Sequence, residues 1–205
     1  MATPKPHSDP FLGKGLLDDQ QVIERIFNHI DNGTTDLGDT VWHEPVEHYY
    51  SQERFDAEIA LLKKMPVPFC PSAALEEIGS YVARKAVGTP LVVARGRDRK
   101  VRAFINACRH RGMQVASGSG CSRAFVCPYH AWTFGLDGRL ISARLMPEDF
   151  DKAENSLFAC HVRVFHGLIF INMSEEEPVD FDATFGDMGP ILDYHGFADA
   201  RIAHA

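Results

Sequence analysis

The sequence has no apolar run long enough to cross a membrane, no export signal and no excess of basic residues. Its longest apolar stretch, residues 167–173, has only the length of a strand, so we expect no membrane association. Polar residues follow Met1 where a secretory signal would need an apolar segment, which predicts a cytoplasmic protein. The formal net charge of −7 argues against a nucleic-acid partner, because nucleic-acid binders carry a basic excess.

Cysteine occurs five times, an odd number, and without an export signal a disulfide framework is not expected. Cys70, Cys121 and Cys160 stand outside any cluster with histidine, and we interpret them as structural thiols. Cys108 and Cys127 are each followed closely by a histidine. In a reducing compartment such a pairing of thiol and imidazole indicates metal binding.

The length and composition predict one large globular domain with additional segments before and after it. The 205 residues are 45% hydrophobic and 24% charged, which is typical of chains that bury a core. Prolines and glycines in residues 1–16 predict a flexible arm. Apolar residues at helical spacing predict one helix over 22–30 and a second over 51–65, within a helical segment that covers 17–74.

The segment 75–173 shows short apolar runs with a strand-like period, separated by turn residues. Residues 136–139, Leu-Asp-Gly-Arg, predict a hairpin turn between two of these runs. Residues 174–205 begin with an acidic run and have only a weak helical pattern, so we predict a linker. The expected fold class is therefore mainly β and antiparallel, with N-terminal helices. Strands are predicted over 81–83, 91–94, 101–105, 123–127, 131–135, 139–142, 158–165 and 167–172.

Two predicted loops share one pattern of metal-binding residues. The first contains Cys108 and His110, and the second contains Cys127 and His130. Two thiolates and two imidazoles would satisfy a structural zinc ion, which is one interpretation. Zinc sites usually pair cysteine with cysteine and histidine with histidine, whereas each loop here supplies one of each. That mixture favours a two-iron cluster, in which one iron takes both cysteines and the other takes both histidines.

The two loops and their flanks resemble the Rieske segment of Rieske non-haem iron oxygenases, the α subunits of aromatic-ring-hydroxylating dioxygenases. The resemblance rests on residues 103–112, Ala-Phe-Ile-Asn-Ala-Cys-Arg-His-Arg-Gly, and on residues 127–134, Cys-Pro-Tyr-His-Ala-Trp-Thr-Phe. It extends over residues 45–200 and includes 137–140 and 167–172. It implies a Rieske-type module of small stacked antiparallel sheets, with a two-loop subdomain that binds a [2Fe-2S] cluster.

The resemblance also implies which residues hold and surround the cluster. The four ligands are expected to be Cys108, His110, Cys127 and His130. The cluster environment is expected to be formed by Arg109, Arg111, Gly112, Pro128, Tyr129 and Trp132.

Three interpretations of these neighbours follow from their chemistry. Gly112 and Pro128 allow tight turns that point backbone N–H groups toward the cluster sulfurs. Arg109 and Arg111 either guide an acidic redox partner or only solvate the loop and pair with nearby acids. Trp132 either lines the cluster or packs the base of its loop.

Two features of high-potential respiratory Rieske proteins are absent from this sequence. Those proteins carry an extra cysteine in each loop, where this sequence has Met113 and Tyr129. They also place hydroxyl groups near the cluster, where this chain has Trp132 and Phe134. Fewer hydrogen bonds to the sulfurs stabilise the reduced form less, so the expected reduction potential lies nearer about −150 mV than about +300 mV.

The family's catalytic iron is mononuclear and is held by two histidines and one carboxylate. His161 and His166 have the family's spacing, but Phe158 stands where the carboxylate should be. His43 and His48 have the same spacing, but a proline interrupts them and the acid is missing. We therefore assign no catalytic residue, and expect this iron in a catalytic domain beyond the chain.

The expected function is an electron relay within an oxygenase α subunit. By resemblance, the cluster accepts electrons from an NAD(P)H-dependent reductase or a ferredoxin and passes them to the mononuclear iron, typically in the neighbouring subunit of a trimer. The reaction implied is the dioxygen-dependent hydroxylation of an aromatic substrate, which this chain alone is not expected to catalyse. The alternatives are a free-standing Rieske ferredoxin, which has no need of two amphipathic helices, and a structural zinc protein.

Overall fold

The computed structural model of the chain describes residues 17–37, 40–178 and 180–201, so the predicted arm over 1–16 lies outside the described residues. The chain divides into two compact units, with the boundary after Ser51. No helix in the described part is long and apolar enough to span a membrane.

The first unit contains one long helix, α1 (Asp19–Asn32), and a short 3-10 helix at Val46–Tyr49. Helix α1 begins at a capping box, in which the Gln21 N–H donates to the Asp18 carboxylate at 2.8 Å and the Asp18 N–H donates to the Gln21 side chain at 3.0 Å. The helix ends at Gly33, whose φ of 60° is the left-handed conformation that terminates many helices. The helix predicted over 22–30 is confirmed.

The second unit begins with helix α2 (Gln52–Lys64), at the position predicted for the second helix, and continues into ten described strands. The strands are β1 (Val67–Pro71), β2 (Ser80–Ala86), β3 (Thr89–Arg95), β4 (Val101–Ile105), β5 (Gly118–Cys121), β6 (Phe125–Val126), β7 (Thr133–Phe134), β8 (Leu140–Ser142), β9 (Ala159–Phe165) and β10 (Leu168–Asn172). Seven of them form one sheet in the order β1-β10-β9-β4-β3-β2-β5, and β6, β7 and β8 form a smaller one. All neighbouring strands are antiparallel, which confirms the expected fold class.

The two strands that the apolar pattern does not predict, β1 and β5, are the two edges of the large sheet. Strand β1 contains Pro68 and Pro71, which an edge tolerates because one side of the strand needs no N–H donors. Strand β5 has the sequence Gly-Ser-Gly-Cys and is exposed along its length. Residues 67–71 are therefore a strand within the segment 17–74 that was predicted to be helical, and this prediction was wrong because an edge strand shows no apolar alternation.

Strand β3 is buried on both faces and separates two apolar cores. Val92 and Ala94 contribute to the first core, which includes buried residues of the predicted metal-binding loops and of the small sheet. Leu91 and Val93 contribute to a second core, which is shared with strands β1 and β10. Because successive side chains of a strand point to opposite faces, one strand anchors both cores.

The small sheet carries the second of the predicted loops. Its strands β7 and β8 are joined by a turn in which the Gly135 N–H donates to the Arg139 carbonyl at 2.8 Å and the Gly138 N–H donates to the Gly135 carbonyl at 3.0 Å. This confirms the hairpin turn predicted at residues 136–139. The buried side chain of Phe134, in β7 of the small sheet, packs in the first core.

The segment after β10, predicted as a linker, contains two short helices, α3 (Phe181–Phe185) and α4 (Gly189–Tyr194). Leu192 of α4 is buried with Phe165 and Phe170 of the β9–β10 hairpin. An ion pair at 2.8 Å between Arg163 and Asp182 holds α3 to the same hairpin. The segment predicted as a linker therefore packs on the β9–β10 hairpin through both of its short helices.

Gly138 is expected to be the least replaceable glycine of the small sheet. Its φ is 81°, and a Cβ atom built there would lie 2.3 Å from Cε1 of the buried Phe104 ring. We expect Gly138→Ala to lower the free energy of unfolding by about 3 kcal/mol, because left-handed strain adds to overpacking. Gly88→Ala is the matched control: Gly88 has a φ of 73° but no atom within 4 Å of an added Cβ. Chemical denaturation measures the free energy of unfolding of both variants. Equal decreases would show that the contact with Phe104 does not add to the effect of the left-handed conformation.

Candidate metal centre

The first candidate loop leaves strand β4 and is closed by backbone hydrogen bonds around Cys108. The Cys108 N–H donates to the Met113 carbonyl at 2.8 Å, and the Gly112 N–H donates to the Cys108 carbonyl at 2.8 Å. Gly112 takes a φ of 74°, a left-handed conformation that glycine adopts without strain. The result is a tight turn with the cysteine at its start.

The second loop, between β6 and β7, repeats the same hydrogen-bond scheme. The Cys127 N–H donates to the Trp132 carbonyl at 2.8 Å, and the Ala131 N–H donates to the Cys127 carbonyl at 3.0 Å. Ala131 stands where Gly112 stands in the first loop, and it also has a positive φ, of 58°. The two loops are therefore structural counterparts, although the histidine follows its cysteine at a different interval in each.

The loops bring the four predicted ligands together as two pairs. The imidazole rings of His110 and His130 have their centroids 4.6 Å apart. The thiols of Cys108 and Cys127 are buried and lie close enough to interact electrostatically. The Nδ1 atoms of both histidines are buried and have no hydrogen-bond partner among the described residues. A buried polar atom without a partner is costly, so these two nitrogens indicate a missing ligand.

Electrostatics at the site favour the neutral forms of the Cys108 thiol and the His130 imidazole. Burial raises the pKa of the Cys108 thiol, and the adjacent Cys127 thiol acts in the same direction. The backbone N–H groups of His110 and Arg111 stabilise the thiolate form of Cys108 and partly oppose that rise in the pKa. Burial, followed by the charges of His110 and Arg111, lowers the pKa of His130. Binding of iron by these cysteines would therefore release thiol protons.

The four side chains lie as two pairs, one of imidazoles and one of thiols. Within residues 17–37, 40–178 and 180–201, no group of three or more His, Cys, Asp or Glu side chains could by itself hold a metal ion. A Rieske cluster needs two cysteines on one iron and two histidines on the other, which matches a thiol pair and an imidazole pair. The unpartnered Nδ1 atoms and the N–H groups directed at the Cys108 sulfur fit that group as well.

Aromatic rings cover the imidazole pair on two sides. Trp132 is buried in the first core and stacks on His110, with ring centroids 5.1 Å apart and planes at 12°. Tyr129 is exposed and stacks on His130 at 3.8 Å. A cleft of about 610 Å³ opens beside these four rings, and its other wall is formed by Arg144, Leu145 and Met146. The tryptophan thus packs the loop and contacts His110, a predicted ligand, so its two predicted roles are compatible.

The remaining predicted neighbours are divided between the loop surface and the sheet. Pro128 is exposed at the tip of the second loop. Arg111 is exposed, with its guanidinium carbon 6.0 Å from the centroid of the Tyr129 ring. Arg109 contacts a different ring: its guanidinium carbon lies 3.8 Å from the centroid of the Phe158 ring.

Asn106 supports the first loop and was not singled out as a site residue from the sequence. Its side chain is 2% exposed, and its amide oxygen accepts from the N–H groups of Val115 at 2.9 Å and Ala116 at 3.2 Å. Its amide nitrogen donates to the Ala116 carbonyl at 2.8 Å. The asparagine therefore ties the start of the loop to its end. A polar residue directly after the apolar run 101–105 is the signal that could have revealed it.

The other histidine pairs have different partners. His161 is paired with Asn172 in the sheet, whereas His166 lies in the turn after β9 and hydrogen-bonds to Asp193. His48 hydrogen-bonds to Glu44. His161 also borders a second cavity of about 540 Å³, which shares no lining residue with the cleft beside the imidazole pair.

Comparison with known proteins identifies similar chains. Residues 65–166 match the family model of the Rieske [2Fe-2S] domain. The carnitine monooxygenase oxygenase subunit of Acinetobacter baumannii is 40% identical over 141 residues, which are 67% of this chain and 38% of that protein. The biphenyl dioxygenase subunit alpha of Metapseudomonas furukawaii is 33% identical over 128 residues, which are 57% of this chain and 28% of that protein.

A solved structure with the same fold is the crystal structure of a quaternary ammonium Rieske monooxygenase in complex with an inhibitor. It matches with a TM-score of 0.76 at 34% sequence identity, over 81% of this chain and 48% of that chain. The present chain therefore spans less than half the length of each of these relatives.

Proposed function

Since this chain belongs to the Rieske oxygenase α subunits through its Rieske [2Fe-2S] domain at residues 65–166, we propose that Cys108, His110, Cys127 and His130 hold the cluster. The observation that carries the proposal is the pair of buried imidazole Nδ1 atoms that lack a partner among the described residues. The paired, buried thiols on the facing loops supply the other two ligands.

The cluster, when bound, supplies reversible one-electron transfer at a potential that its surroundings set. The chain's own residues contribute position and environment. The backbone N–H groups of His110 and Arg111 stabilise negative charge on the Cys108 sulfur. Trp132 excludes water from one side of His110, because the indole is buried in the first core and stacks on the imidazole. Cys108 and Cys127 are buried whereas His110 and His130 are half-buried, so the imidazoles would be the ligands closest to an approaching partner.

We further propose that the whole protein is an oxygenase that receives electrons from an NAD(P)H-dependent reductase or ferredoxin. The electrons would pass to a mononuclear iron, in a neighbouring subunit of a homo-oligomer built from trimers. Because the similar proteins are oxygenase subunits, this proposal is favoured over a free-standing ferredoxin.

The substrate class is the least constrained part of the proposal. The sequence predicted an aromatic substrate, and the biphenyl dioxygenase subunit supports that class at 33% identity. The carnitine monooxygenase subunit is more similar, at 40%, which favours a quaternary ammonium compound. Product formation from carnitine or from biphenyl, by a full-length enzyme supplied with its reductase, distinguishes the two.

Metal analysis tests the central proposal directly. We expect about two irons and two acid-labile sulfides per chain in protein purified without oxygen, and a rhombic EPR signal of low average g after dithionite reduction. One zinc and no sulfide would replace the redox function with a structural one. Iron in stoichiometric excess over sulfide would indicate an additional, mononuclear site.

A further inference from the structure

The exposed ring of Phe158 contacts the residue that lies between two proposed ligands. Phe158 is 57% exposed, and the guanidinium carbon of Arg109 lies 3.8 Å from its ring centroid. We infer that Phe158 is a positioning residue for the cluster: its ring holds the Arg109 guanidinium in place and so keeps a positive charge beside the Cys108–His110 loop. This inference rests on the proposed function, because it takes Cys108 and His110 as cluster ligands.

The large sheet fixes the location of the Phe158 ring. Phe158 lies immediately before strand β9, and its carbonyl accepts a hydrogen bond from the Ile105 N–H at 2.9 Å. The next residue, Ala159, is paired with Phe104 of β4. Phe158 therefore lies beside the last residue of β4, at the point where the chain leaves the sheet and enters the first loop. A rigid strand pair thus presents the ring to Arg109.

Arg109 has no other strong partner in the described part of the chain. Its Nε atom is buried and makes no hydrogen bond to the described residues, and no carboxylate there lies within ion-pair distance of it. The face of an aromatic ring attracts a guanidinium, and the attraction grows when the pair is shielded from water. The Phe158 ring is accordingly the contact that we expect to hold the Arg109 guanidinium in place.

A fixed cation at this position affects the equilibrium between the oxidised and reduced cluster. Reduction adds one negative charge, so a guanidinium held near the ligands stabilises the reduced form. Arg109 lies between Cys108 and His110 in the chain, so the loss of its charge in a partly solvated site should reduce the equilibrium constant for reduction about threefold to tenfold. Phe158→Leu leaves the Arg109 charge present but no longer holds it in place. We therefore expect a smaller decrease in the equilibrium constant for reduction, about twofold.

The decisive experiment compares the reduction potential of the cluster in single and double variants of the full chain. Arg109→Gln is expected to lower the potential more than Phe158→Leu does. If the ring acts through Arg109, Phe158→Leu has no further effect in the Arg109→Gln background. Phe158→Tyr retains a ring and should leave the potential unchanged.

Arg111→Gln is the matched control, because Arg111 is also a loop arginine but its guanidinium lies by Tyr129, 6.0 Å from the ring centroid. Phe158→Leu should lower the potential by the same amount in the Arg111→Gln background as in the unaltered chain. Equal effects of Phe158→Leu in both arginine backgrounds, or none in the unaltered chain, would overturn the inference.

The readouts separate this inference from the proposed function. Protein without iron and sulfide refutes the proposed cluster itself. If the cluster is present and Phe158→Leu changes its reduction potential equally in the unaltered, Arg109→Gln and Arg111→Gln chains, the ligand assignment is unaffected. Only the role of Phe158 is then refuted. Because Phe158 is exposed, its replacement is expected to leave the chain folded, which circular dichroism checks.

Discussion

His110→Ala and His130→Ala are each expected to abolish the rhombic EPR signal of the reduced cluster. The two imidazole Nδ1 atoms are buried and have no hydrogen-bond partner among the described residues, so the surroundings offer no substitute for either ligand. If the proposed ligands are right, alanine would leave one iron with a single protein ligand, so we expect the cluster to be lost. The measurement is EPR after dithionite reduction, together with iron and sulfide content.

The loss of signal should not come from loss of the fold. Far-ultraviolet circular dichroism is expected to match the unaltered chain, because both histidines lie on loops outside the sheets. His43→Ala is the control, since His43 is exposed in the first unit and lies on neither loop. A retained signal in either His110→Ala or His130→Ala would contradict the ligand assignment.

Asn106→Ala is expected to cause the largest loss of stability among the variants of the first loop. The substitution removes three hydrogen bonds and leaves the backbone N–H of Val115, which is buried, without its acceptor. We expect the free energy of unfolding to fall by about 3 kcal/mol. For a chain of this size the midpoint of thermal unfolding should fall by roughly 6–12 °C. The loop should also open, so cluster content should fall with it.

Asn172→Ala separates the effect on the loop from the effect on stability. Asn172 is also buried, and its amide donates to the Lys64 carbonyl at 2.8 Å and accepts from the Ser174 N–H at 2.7 Å. Its replacement should destabilise the chain by a similar amount but leave cluster content per folded chain unchanged. An equal loss of iron in both variants would show that Asn106 acts through global stability alone.

The antiparallel fold was predictable because its inner strands carry strong local signals. Strands β3 and β10 are short apolar runs with turn residues at their ends, and the structure confirms both. The edge strands β1 and β5 lack such a signal, because a strand with one neighbour tolerates proline, glycine and polar residues. Their places in the sheet depend on pairing with distant residues: β1 pairs with β10 and β5 with β2.

Part of the candidate site was likewise predictable from the sequence and part was not. The spacing of Cys108, His110, Cys127 and His130 predicts a four-ligand site, because ligand chemistry is a property of residue types and short intervals. The equivalence of Ala131 to Gly112 was not predictable, since alanine gives no sign of a left-handed conformation. It becomes visible only when the hydrogen bonds of both loops are compared.

By itself, the sequence determined the antiparallel β class and the cysteine–histidine pattern of the two loops, because strand periodicity and ligand spacing act over a few neighbouring residues. Only the tertiary structure decided that the imidazoles lie side by side, that Asn106 closes the first loop, and that Arg109 contacts Phe158, which lies just before β9 and 49 positions further along the chain. These contacts join residues far apart in sequence, and packing of the complete sheets sets their geometry, which no local pattern records.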